Sequence, residues 1–380
     1  MTADIVKRWL TMSLLFVAAA SAQQGEGLDD ESFPAIDHYV RQLSMVPSIE
    51  GQITQLYVRE RVQPTTIDGS KSLEGRVVLF VHGCCYASEV AFDLPYKDYS
   101  WMAFLAAEGY DTFAVDVTGY GRSTRPHAMN DPCNLSAEDQ QEIGMKLDPC
   151  KPSYRFRLTT IASHWADIDR AVDYIRELRQ VSKVSLISWS SGGPRAGGYA
   201  AQHSDKIDRL VFLAPSYIRS LPSDPPLEPI EETAMRALSK TRSSENWDRQ
   251  VGCPKQYDPA VKQIIWSEAL RSDPVGSTWG SGTMRSPNTI RWGWNNQMVT
   301  HSETPTLVIV GEHDADRFIE RGKDLYEDIG AEDKILIDLA CASHMAQYES
   351  NRMLLFDASL QWLRDGTVNG KKSGVIRIGD

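Results

Sequence analysis

The chain has 380 residues, 42% of them hydrophobic, with a formal net charge of −11 and a sequence pI of about 5.3. That is enough apolar material for a sizeable core, in one large domain or two ordinary ones. The acidic balance argues against nucleic acid or an anionic membrane surface as a partner, because both demand a basic footprint.

At the N-terminus, Lys7 and Arg8 precede an apolar stretch, Trp9–Ala20, that is too short for a membrane span. Ala20-Ser21-Ala22 puts small residues where a signal peptidase reads, so residues 1–22 are expected to be a signal peptide cleaved after Ala22. The protein is then secreted or periplasmic. Residues 23–32 are polar and expected to lack order. Ile53–Val62 reads as a strand. Val77–Val81 is a continuous apolar run ending at His82-Gly83, as in a buried parallel strand. Trp101, Phe104 and Leu105 predict a helix over 97–108, and Thr112–Val117 a second buried strand. Over 159–179, Ile161, Trp165, Ile168, Ala171, Val172 and Ile175 share one helical face. Strands follow at 184–187, 210–214, 306–310 and 335–339, with helical patterns after the last two. Alternating strands and helices imply a parallel sheet with right-handed crossovers. Periodicity fails between 217 and 300. Residues 23–216 and 301–380 are therefore expected to form an α/β core, interrupted by a cap over 217–300.

Export would permit disulfides among the six cysteines. Cys133 and Cys150 flank a polar excursion, with Asp-Pro-Cys at its start and end, and a bridge between them is expected. Cys84, Cys85, Cys253 and Cys341 allow three pairings, which spacing does not decide. No CxxC…CxxC or HExxH spacing points to a metal, and no cofactor motif stands out. Asn134-Leu135-Ser136 is a glycosylation sequon, relevant in a host that glycosylates.

Five motifs lie in order at strand ends: His82-Gly83, Gly119-Tyr120-Gly121-Arg122-Ser123, Ser188-Trp189-Ser190-Ser191-Gly192, Gly311-Glu312-His313-Asp314 and Ala342-Ser343-His344. Together they resemble the α/β-hydrolase superfamily over about residues 33–367. The resemblance implies a mostly parallel sheet with helices on both faces, and a serine nucleophile on a tight strand-to-helix turn. The G-x-S-x-G register falls on Ser190, with Ser188 in place of the first glycine. Ser188 and Ser191 fit the turn less well, because Leu186 and Trp189 stand where a small residue is needed. Asp314 occupies the G-x-x-D position of the acid, ahead of Glu312 and Asp316, and His344 is the base. One backbone N–H of the oxyanion hole should come from Ser191 and the other from Cys84, with Cys85 as the alternative. His82 is expected to shape its turn, and His164 to pack within its helix.

The resemblance implies a serine hydrolase working through an acyl-enzyme, on a carboxylic ester or lactone. A peptidase or amidase of the same fold, or a binding protein that lost the chemistry, are the alternatives. Base catalysis needs a neutral imidazole, so activity should rise from acid to neutral pH. In related folds such an insert walls the pocket, and this one holds Trp247, Trp266, Trp279, Trp292 and Trp294. Tyr86, Trp189, Trp292 and Trp294 are expected to line an aromatic pocket, with Arg271, Arg285 and Arg291 the basic candidates nearby. The expected substrate is a neutral, apolar small molecule, and anionic esters should be poor substrates. The oligomeric state is left open.

Overall fold

The computed structural model describes residues 34–145 and 149–379. The expected signal peptide and the polar stretch 23–32 lie outside the described residues. The first two strands, β1 (Ala35–Leu43) and β2 (Ile53–Arg61), form an antiparallel hairpin. Then come β3 (Val77–Val81), α1 (Ser88–Phe92), α2 (Trp101–Ala107) and β4 (Asp111–Val115). A long excursion carries α3 (Ala137–Glu142) and ends at the short β5 (Thr159–Thr160). Next are α4 (Ile161–Arg179), β6 (Val184–Trp189), α5 (Gly192–Gln202) and β7 (Ile207–Leu213). The irregular stretch after β7 holds β8 (Met235–Ser239), α6 (Lys240–Asp248), α7 (Val261–Ser272), β9 (Thr283–Pro287), β10 (Thr289–Ile290) and α8 (Asn296–Val299). The chain closes with β11 (Thr306–Gly311), α9 (Asp316–Asp328), β12 (Lys334–Leu339), α10 (Arg352–Asp365) and β13 (Gly374–Ile378).

Nine strands form one sheet in the order β1-β2-β4-β3-β6-β7-β11-β12-β13. From β4 to β13 every pairing is parallel, while β1 and β2 are antiparallel. The period of two is visible in β3. Val78 and Phe80 face a layer containing Trp101, Phe356 and Trp362, whereas Leu79 and Val81 face α4 and α5. Both faces are covered, which is why the central strands are apolar throughout.

The stretch 217–300 is not self-contained. Parallel β5 and β10 join it to the polar excursion, and Met129, Leu135 and Leu158 share a small apolar cluster with Ala234, Met235 and Ala237. The Cys133–Cys150 bridge is formed. The remaining cysteines pair as Cys84–Cys85 and Cys253–Cys341. Asn134 of the sequon is fully buried, its amide donating to the Ala128 carbonyl and the Ser153 hydroxyl, so the folded chain offers no glycosylation site there. No helix among the described residues is long and apolar enough to cross a membrane.

Candidate active site

The turn from β6 into α5 holds Ser190 at φ 56°, in the left-handed region that a side chain adopts only where its surroundings hold it. Two glycines make the turn possible. A Cβ on Gly192 would lie 2.3 Å from the Val81 carbonyl oxygen, and one on Gly193 would lie 3.0 Å from Pro215. Ser188, which replaces the usual first glycine, fits, but its buried hydroxyl has no hydrogen-bond partner among the described residues.

The structure brings the three expected polar side chains together. His344 Nε2 lies 2.9 Å from Ser190 Oγ, and His344 Nδ1 lies 3.0 Å from Asp314 Oδ2. Asp314 is 4% exposed and Ser190 7%, so both operate largely out of bulk water. With Nδ1–H donated to the carboxylate, Nε2 keeps its lone pair toward the serine hydroxyl. Glu312 instead accepts from Arg377 and the Cys341 N–H, and Asp316 is exposed at the start of α9. Phe318, which the motifs did not suggest, lays its ring 4.1 Å from the His344 ring centroid. The Trp189 indole donates to the His344 carbonyl at 2.8 Å. Glu349 is buried and accepts from Ser343 N–H and hydroxyl, Trp247 and Gln256, fixing the loop just before the histidine.

Cys84, Cys85 and Ser191 line the cavity beside Ser190. None of their backbone N–H groups is spent on a hydrogen bond to another described residue. Arg195, missed in the sequence reading, holds this turn from behind. It is 3% exposed, and its Nη1 donates to the His82 and Gly83 carbonyls at 2.8 and 3.0 Å. Its Nε donates to His164 Nδ1 and its Nη2 to the Tyr120 hydroxyl. Burial, then the Arg195 charge, push both His82 and His164 well below the usual histidine range, so both rings stay neutral. The only advance signal was an arginine one turn into a helix of small residues.

The cavity measures about 860 Å³. Tyr86 and Trp189 line it as expected, and so does Trp247. Trp292 and Trp294 do not. Trp294 is buried against Phe212 and Tyr217, seated where Gly197 leaves α5 without a side chain: a Cβ there would lie 2.5 Å from the indole. Trp292 packs edge-on against Trp165, which Gly198 admits in the same way. The missing Cβ atoms of α5 thus draw both tryptophans onto the core, away from the cavity. Nor is the wall apolar. Arg157, Arg195, Arg236, Arg249, Arg291 and Arg317 all line it, against Glu232, Asp314 and Asp316. Of the basic candidates weighed from sequence, Arg285 is buried in an ion pair with Asp273, Arg271 pairs with Glu268 at the surface, and only Arg291 reaches the cavity. Cys253 Sγ lies 3.3 Å from His313 Nε2, but the sulfur is already bonded to Cys341.

A serine on a strand-to-helix turn, with Asp314 and then His344 following it in chain order on a mostly parallel sheet, defines an α/β-hydrolase. Residues 74–351 match the family described as serine aminopeptidase, S33, and the chain belongs to that family. Among solved structures, it is similar to a serine hydrolase from the polyaromatic-hydrocarbon-degrading bacterium Cycloclasticus zankles. The two are 13% identical with a TM-score of 0.51, over 87% of this chain and 99% of that one. A putative hydrolase from Bacillus subtilis is 12% identical with a TM-score of 0.51, over 88% and 95% of the two chains. Both likenesses concern the fold. No curated protein matches the sequence.

Proposed function

We propose that the protein is an exported serine hydrolase that cleaves a carboxylic ester or lactone through an acyl-enzyme. The observation that carries the reading is the continuous chain from Ser190 Oγ through the His344 imidazole to Asp314. As the ester carbonyl is attacked by Ser190 Oγ, His344 Nε2 takes the hydroxyl proton and Asp314 stabilises the resulting imidazolium. The N–H groups of Ser191 and Cys84 or Cys85 receive the negative charge that develops on the carbonyl oxygen. Collapse expels the alcohol, which takes the proton from His344. Water then enters by the same route in reverse and releases the acid. Three disulfides support an oxidising compartment.

An aminopeptidase needs a carboxylate to hold the substrate ammonium. Here Glu232 is already held by Arg157, and arginines outnumber acids on the wall, which favours the ester reading. A fluorophosphonate probe is expected to label the wild-type protein and not Ser190→Ala, and p-nitrophenyl esters to be cleaved faster than aminoacyl anilides. Labelling that persists in Ser190→Ala would overturn the assignment of the nucleophile, and faster anilide cleavage the ester preference.

A further inference from the structure

One end of the cavity is organised around the strand segment 287–291. Arg157 Nη1 donates to the Thr289 carbonyl at 3.2 Å, and Arg236 Nε donates to the Asn288 side chain at 3.2 Å. Arg291 follows β10 directly, and β10 pairs with β5 at the start of α4. Three arginines of the cavity wall therefore cluster about this segment. Their partners are unequal. Arg157 is neutralised by Glu232. Arg236 and Arg291 have no acidic partner among the described residues, and Arg291, half-buried, makes no hydrogen bond to any of them. Burial, then the charges of Arg321, Arg236, Arg157 and Arg195, lower the Arg291 guanidinium to about 10. It still carries its charge at neutral pH.

A half-buried cation among other cations is costly unless an anion meets it, and the exposed Arg236 beside it lacks an acid as well. We propose that Arg291 and Arg236 form a subsite for a carboxylate, and that the natural substrate is an ester bearing one. The inference rests on the ester-hydrolase reading and names its substrate class. It reverses the expectation, drawn from the tryptophan content alone, that charged esters are poor substrates. The planar fork of each guanidinium suits a carboxylate, and the cavity is large enough for a medium-sized acid ester.

The test uses matched pairs that differ in charge. Mono-p-nitrophenyl glutarate and its methyl ester place the carboxylate, or its neutral counterpart, on the acyl side. 4-Carboxyphenyl butyrate and 4-carbamoylphenyl butyrate place it on the alcohol side. The charged member of at least one pair is expected to have a kcat/KM about tenfold higher or more, expressed in KM, as a charge-assisted hydrogen bond to a buried partner warrants. Arg291→Gln should remove most of that preference, and the milder Arg236→Gln part of it. Raising the salt concentration should narrow it. Fluorophosphonate labelling of each variant reports that Ser190 is still assembled. Equal kcat/KM within both pairs, or a preference untouched in both variants, would overturn the subsite while leaving the hydrolase reading intact. A wild-type protein that neither labels nor cleaves any of the four esters would overturn the hydrolase reading itself.

Discussion

Arg195 brings a full charge into the protein interior with no carboxylate bonded to it. Its compensation is a set of neutral acceptors: the carbonyls of His82 and Gly83, the His164 ring and the Tyr120 hydroxyl. The first two belong to the turn proposed to supply one side of the oxyanion hole, so the guanidinium fixes the direction of N–H groups it never touches. Lysine keeps the charge but donates from a single point, and cannot span acceptors spread around a planar fork. Arg195→Lys is therefore expected to lower kcat about 10²-fold, the scale of losing one oxyanion donor, with KM changed only a few-fold. Labelling of Ser190 by the fluorophosphonate should slow in parallel. A variant whose melting temperature falls while kcat and labelling rate stay at wild-type values would mean that Arg195 is structural only.

At the scale of elements, the end of α6 and the segment after it grip the loop that carries His344. Gln250 accepts from the His344 N–H at 3.2 Å, Gln256 and Trp247 donate to Glu349, and Cys253 is bonded to Cys341. The disulfide spans 88 residues of sequence, and in the chain-entropy view closing a loop of that length stabilises by about 4–5 kcal/mol. The double variant Cys253→Ala/Cys341→Ala is expected to lose about 4 kcal/mol in urea unfolding. It should also become inactive at a temperature below its global melt, as the His344 loop loosens first. An unchanged urea midpoint would show that the tie does not bear on stability. What sequence revealed at this scale follows from burial. The strands β3, β4, β6, β7, β11 and β12 are covered on both faces, so each is a legible apolar run. β1 is a half-exposed edge strand of mixed residues, AIDHYVRQL, and β13 follows the last helix as a short edge strand; neither carries such a run, and neither was read. The three polar groups of the site were legible because strand ends position them. The cavity wall was not, because it is assembled from the long excursion and the insert, which meet only in the fold. Trp292 and Trp294 were misplaced for a related reason. Gly197, which seats Trp294, lies 97 residues before it in the chain, and Trp292 rests on Trp165, which Gly198 seats.

Across the whole molecule, buried titratable groups set how stability responds to pH. Asp167 is fully buried, and burial raises its pKa to about 6 against the hydrogen bonds it accepts from Thr118 and Gln42. Asp111 is also pushed up, by burial and then by the neighbouring charge of Glu60, although Arg179 pairs with it. In both, the folded pKa lies above the unfolded one. Between the two values the folded chain holds a proton that the unfolded chain has released, so stability falls as pH rises through that window. For Asp167 the window runs from about 4 to about 6, and the loss across it is on the order of 3 kcal/mol. Asp273 and Asp328, lowered against the cost of their burial by bonds from Arg285 and Arg219, work in the opposite sense, and their contribution disappears only as pH drops below the ordinary carboxylate range. His82 and His164, held neutral well below the ordinary histidine range, also work in that sense, because the unfolded chain takes up protons at both as pH falls through about 6.5. These opposing contributions are separated by comparing the urea stability of the wild type with that of Asp167→Asn from pH 4 to pH 7. Asp167→Asn, which cannot ionise, should be less stable than wild type at pH 4, having lost part of its hydrogen bonding, and the gap should narrow by about 3 kcal/mol as pH rises to 7. A gap between the two proteins that stays constant from pH 4 to pH 7 would show that Asp167 is not the group that titrates.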